Sequence, residues 1–268
     1  MTAPTVDDPL RPARRALHEG DFAAAARLYA QALGRPPTGP DTEDAETLQA
    51  RADYALALNG LARYTRGEVQ LQHALEGQKC LLGADHPATL TTMARLADNF
   101  GEQRRCAQAY EVARDAVNHA LRAFGADHPV ALTARLSLGR ALALTRPYEA
   151  EPVVRAALRD IDRVLGPGHC ESWSARHLLA VVLRTAGRLA EAETVTRDVI
   201  AVRRRHQGDE HPDTLRAQAD LAMVLGAAGR TGQARALMQT VVDAGTSALG
   251  AEHPCTVRFR AQRETLAG

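Results

Sequence analysis

A six-residue phrase returns five times along this chain of 268 residues: Leu82-Gly83-Ala84-Asp85-His86-Pro87, Phe124-Gly125-Ala126-Asp127-His128-Pro129, Leu165-Gly166-Pro167-Gly168-His169-Cys170, Gln207-Gly208-Asp209-Glu210-His211-Pro212 and Leu249-Gly250-Ala251-Glu252-His253-Pro254. The five histidines stand 42, 41, 42 and 42 residues apart. A fixed period of roughly 20–50 residues marks a repeat architecture, in which each unit buries its apolar face by stacking on its neighbours. The phrase also punctuates helices. Its Gly suits the left-handed position just past a helix end, and its Pro suits the first turn of the next helix, where a missing N–H costs nothing. An all-α stack of antiparallel helix pairs follows.

Within one period two helices alternate, helix A and helix B. In the unit that begins at His169 the expected spans are 171–186 for A and 189–206 for B, with Gly187-Arg188 between them. Apolar residues of this helix B fall at Leu189, Ala192, Val195, Val199 and Val202, a spacing of three and four that makes one buried stripe. In register, Gly67, Ala109, Ala150, Ala192 and Ala234 form a small-residue column that lets A and B approach closely. Gly20, Gly60, Gly187 and Gly229 read as turn glycines. The unit holding Pro147 and Pro152 is one residue short, so its helix B is expected to start late or kink.

The Gly-x-(aromatic or aliphatic)-x-x-Ala pattern, clearest in Gly20-Asp21-Phe22-Ala23-Ala24-Ala25, resembles the tetratricopeptide repeat (TPR). The longer period with its Leu-Gly-x-Asp-His-Pro loop resembles the kinesin light chain variety of that repeat. HEAT-type repeats share the period range but not the Gly–Ala signature of helix B. The resemblance implies a right-handed superhelical solenoid of about six repeats with a capping helix. The expected division is a flexible tail over 1–8, a first repeat over 9–33, a Pro/Gly connector over 34–43, five long repeats over 44–252 and a capping helix over 253–268.

Charge and composition exclude several functions. The 33 basic and 32 acidic residues leave a net charge of +1, which gives no footprint for nucleic acid or an anionic membrane. The longest apolar run here, Leu178–Leu183, is far below the ~20 residues that span a bilayer. The amino terminus has neither the basic nor the apolar region of a secretory signal. Cys80, Cys106, Cys170 and Cys255 lie far apart without a Cys-x-x-Cys pair, which fits reduced thiols in a cytoplasmic protein. Lys79 is the one lysine among the basic residues, a bias of GC-rich, actinobacterial coding.

The histidine series invites a metal reading, which distance opposes. Metal ligands sit about 2.0–2.1 Å from zinc, whereas equivalent residues on adjacent helices are ~8–10 Å apart. The histidines and their neighbouring acids are expected to cap helix A and pin the loop. No metalloprotease, nucleophile-elbow or phosphate-loop motif appears, and no cofactor is expected. Cys106 falls in an apolar column of helix B and reads as a core thiol.

What remains is the concave face, which the resemblance assigns to the non-core positions of helix A and to extended peptides. The register puts Arg95 and Asp98, Ser137 and Arg140, His177 and Arg184, Arg216 and Asp220, and Arg258 and Gln262 near it. Arg140, Arg184 and Arg216, from successive helices A, form a candidate clamp for an acidic or carboxylate-ended segment. Arg216 and Asp220 could instead pair with each other at i, i+4. The Asn pair usual in the kinesin light chain groove is absent. The expected function is a protein-interaction scaffold holding a peptide or extended protein segment. The alternatives are a regulatory sensor of a small peptide or metabolite acting on a partner regulator, and a solenoid adapted to a biosynthetic reaction. A dimer through the terminal helices is left open.

Overall fold

A computed structural model describes residues 8–34 and 43–267. Most of the expected tail and connector therefore lies outside the described residues. Thirteen helices and no strand are present among those described. The first pair is short, α1 (Arg11–His18) and α2 (Phe22–Leu33). Five longer pairs follow: α3 (Ala45–Gly60) with α4 (Tyr64–Leu82), α5 (Pro87–Glu102) with α6 (Cys106–Phe124), α7 (Pro129–Thr145) with α8 (Pro147–Val164), α9 (Cys170–Thr185) with α10 (Leu189–Gln207), and α11 (Pro212–Ala227) with α12 (Thr231–Leu249). A last helix, α13 (Pro254–Ala267), ends the chain. The fold is an all-α solenoid of helical repeats.

The repeated phrase divides its labour more finely than expected. Each histidine ring caps the helix it precedes: Nδ1 of His86, His128, His169, His211 and His253 accepts the backbone N–H two residues on, at 3.2–3.3 Å. The acids do not join in this capping. Asp85 binds His119 at 2.6 Å and Asp127 binds Arg163, so they tie the loop forward to the helix B of the unit that it opens. The loop glycines Gly83, Gly125, Gly166, Gly208 and Gly250 take φ between +80° and +94°, where an L side chain is strained.

The A-to-B turn corrects one expectation. Its left-handed position is filled by Gly20, Ala62, Arg104, Gly187 and Gly229. Gly60 belongs instead to the end of α3, where the Phe22 ring occupies the space a Cβ would need. The short unit has lost this position altogether, because Arg146 alone separates α7 from α8. Helix α8 is therefore neither late nor displaced. It begins in register at Pro147 and runs on through Pro152.

Ala109, Ala150, Ala192 and Ala234 are fully buried, as a close A–B crossing requires. Gly67 is tighter still, since a Cβ there would press on an amide pair formed by Asn99 Nδ2 and Asn59 Oδ1 at 2.7 Å. Every helix packs on the next, and helices A also pack on the helices A of neighbouring units (α3 on α5, α5 on α7, α7 on α9, α9 on α11, α11 on α13). Helices B make no comparable contacts with each other. The stack therefore curves with its A layer on the inside.

A second ladder locks successive units on the B side. The residue just before each of the five long helices B is arginine, and from α6 to α12 it reaches back to one column of the previous helix B. Arg105 meets Glu68 at 2.6 Å, Arg188 meets Glu151, and Arg230 meets Glu193 at 2.6 Å. Where that column holds Tyr110, the Arg146 guanidinium lies 5.0 Å over its ring. Burial works to raise the Glu68 carboxyl, and hydrogen bonds from Gln103 and Arg105 overcome it, leaving its pKa lowered.

Candidate functional site

The inner face is built from positions of helix A that turn away from helix B. Its charges are largely matched, and most of the matches are one period long. Arg95 binds Asp53 at 2.7 Å and Arg140 binds Asp98 at 2.9 Å, each across 42 residues. His177 Nε2 faces Asp220 at 3.5 Å from the neighbouring unit. Arg216 turns to Asp213 at 2.8 Å rather than to Asp220, which corrects the i, i+4 pairing. Burial works against the Asp213 carboxylate, and Arg216 and Arg203 overcome it, drawing its pKa down to about 2.

The face curls far enough to see itself. The Tyr64 phenol, at the start of α4, is raised by burial and by Glu102, and is pulled back by Arg258 and Arg216 from α13 and α11. Tyr64 Oη donates to Glu102 Oε2 at 3.4 Å, and Glu102 in turn acts on Arg216. Residues of α4 and α5 thus lie within electrostatic reach of residues of α11 and α13 across the concave face, the lumen of the curve. Asp98 keeps 35% of its side chain exposed and has Arg140 beside it. Burial nevertheless raises its pKa against Arg140, helped by Glu171 and Glu102. Burial likewise lowers the His177 ring, with Asp220 opposing.

Of the expected set, Arg95, Asp98, Arg140, His177, Arg216 and Asp220 are all engaged with inner-face partners. Arg258 is exposed and, among the described residues, has no hydrogen-bond or ion-pair partner. Ser137 is buried, and Gln262 holds an unpartnered Oε1. Arg184 is half-buried near the end of α9, and no described contact brings it to Arg140 or Arg216. Of the three arginines expected to act together, Arg140 and Arg216 are paired with Asp98 and Asp213. Arg216 and Arg258, one period apart, face Tyr64 and Glu102.

The sequence reading passed over Asp53, Asp213, Tyr64 and Glu102. Asp53 left a signal, because it stands one period from an arginine in the same manner as Asp98. Tyr64 and Glu102 left none, since their partners approach only through the curvature of the whole stack. Cys106 is no core thiol. It is the half-buried first residue of α6, and its Sγ lies 3.5 Å from the Arg104 carbonyl. Among the described residues no cluster of His, Cys, Asp and Glu suits a metal ion, and no helix is long and apolar enough to cross a membrane.

A family model for the tetratricopeptide repeat matches residues 170–246. None of the curated proteins matches the chain. Among solved structures, the TPR-like repeats assigned to a kinesin light chain of Podosopora anserina are 22% identical, cover 77% of this chain and 98% of that one, and superpose with a TM-score of 0.55. The Rap protein complexed with Competence and Sporulation Factor is 10% identical and covers 97% of this chain and 81% of its own, with a TM-score of 0.68. NprR in complex with its cognate peptide NprX is 14% identical and covers 96% and 69%, with a TM-score of 0.65. Residues 170–246 match the tetratricopeptide repeat, and the whole chain has the helical-repeat solenoid fold of these structures, among them one with kinesin light chain TPR-like repeats.

Proposed function

We propose that this protein is an interaction scaffold that holds an extended peptide, or an extended segment of a partner protein, in its lumen. The segment presents an anionic group to Arg216 and Arg258. The observation that carries this reading is the state of Arg258. Most inner-face charges are already matched by the neighbouring repeat, whereas this guanidinium is exposed and unpartnered beside Arg216 and opposite Tyr64. An arginine fork of this kind suits a carboxylate. Two of the similar solenoids described above were solved as complexes, one of them with a peptide by name. The matched pairs make the rest of the lumen close to neutral, which favours a segment carrying few charges besides its acid.

The test begins with selection of random displayed peptides on the immobilised protein. Calorimetry then compares the parent with Arg258→Ala, Arg216→Ala and Arg122→Ala, the last an exposed change on α6. Loss of a charge-assisted contact costs about 1.5–3 kcal/mol, so either lumen variant should bind roughly 10- to 150-fold more weakly while Arg122→Ala binds as the parent. Equal affinity of all four proteins would exclude the lumen as the site.

A further inference from the structure

Gly20, Gly187 and Gly229 occupy the same turn position with nearly the same backbone, φ +77°, +75° and +77°. Their surroundings differ. Gly187 and Gly229 are exposed, and a Cβ on either would meet nothing within 4 Å. Gly20 is buried, and a Cβ there would come 2.9 Å from His211 Nε2 and 3.1 Å from Pro212 Cδ. The turn of the first repeat therefore rests on the loop that opens the sixth. Two electrostatic neighbours agree: the His18 backbone acts on the His211 ring, and Asp21 acts on His253 in the next loop.

We propose that this seam is a latch: the first repeat, docked on the loop before α11, holds the superhelical turn closed around the lumen, and its release opens the lumen along one side. Three features suit a contact that parts. The seam is small, a glycine turn against one histidine and one proline. His211 Nε2 is buried there beside the His18 backbone without a hydrogen bond of normal geometry, so undocking costs at most one weak bond. The first repeat is also the slightest, with helices of 8 and 12 residues and a core of alanines around Leu10 and Tyr29, where the later units use helices of 14–19 residues. Little buried area per unit means a low cost of local movement. A solenoid whose units touch only their neighbours can spread the opening over many interfaces. The latch concerns the shape of the free protein and does not require that the lumen bind a peptide.

The experiment measures the seam without a ligand. Spin labels at Glu19→Cys and Glu210→Cys, both exposed positions, go into a background whose native cysteines are serine, and pulsed dipolar spectroscopy reads their separation. Small-angle scattering on unlabelled protein gives the radius of gyration independently. The parent should show a short, narrow distance. Gly20→Arg should give a long, broad one and a larger radius of gyration, whereas Gly229→Arg, with the same backbone cost and open space, should keep the parent values. A long distance in the parent would overturn the latch even if Gly20→Arg fails to fold. A folded Gly20→Arg with the parent distance and radius would overturn it equally.

Discussion

Every helix A from α5 to α13 begins on a histidine that must keep Nδ1 free of a proton to accept its N–H. Burial pushes the His211 and His253 rings below the ordinary imidazole range, with Asp213 and Asp21 pulling the other way. A ring whose pKa is depressed by folding contributes stability that is fully present above the unfolded value of 6.5 and is lost as pH falls through the folded value. Asparagine caps helices at any of these pH values, each cap being worth about 0.5–2 kcal/mol. Urea midpoints should therefore fall between about pH 7.5 and about pH 5.5 in the parent, and fall less steeply in His211→Asn with His253→Asn. Parallel slopes would show that these rings do not sense pH through capping. At this scale the capping histidines were legible because spacing and chemistry repeat together. The exceptions were not: the left-handed Ala62 and Arg104 violate residue preference, and the stack chose them over the more conspicuous Gly60.

Between elements, the period does most of the specifying. A residue and its copy 42 positions on face each other across an interface, so complementary columns become ladders. The Arg-to-Glu ladder of helices B was readable in this way, since arginine precedes all five long helices B at Arg63, Arg105, Arg146, Arg188 and Arg230. Its energetics follow from partial burial. In a double-mutant cycle, Arg105→Ala and Glu68→Ala should couple by about 0.5–1 kcal/mol, while the exposed Arg15 and Glu19 pair should show no measurable coupling. Additive losses at Arg105 and Glu68 would remove the ladder from the account of repeat stacking. The short unit shows the limit of pattern reading. Pro147 and Pro152 predict a disturbed helix, but the deleted residue comes from the turn, and Pro suits the first turn of α8 where Pro147 sits.

The whole molecule adds what no single period contains. Small-residue columns and A-to-A contacts set a curvature, and that curvature returns the first repeat to the sixth and brings Tyr64 under Arg216 and Arg258. The inner-face arginines could be named from register alone, yet their partners could not, and the exposed, unpaired Arg258 was not among the three proposed to act together. The central claim is that ligands are held inside this curve. Hydroxyl-radical footprinting with a display-selected peptide addresses it directly, reading Tyr64 and Met223, which shares a column with Asp98 and Arg140, against the exposed Cys80 on α4. The account predicts that bound peptide protects Tyr64 and Met223 and leaves the labelling of Cys80 unchanged. Protection of Cys80 with Tyr64 and Met223 labelled as in the free protein would contradict it.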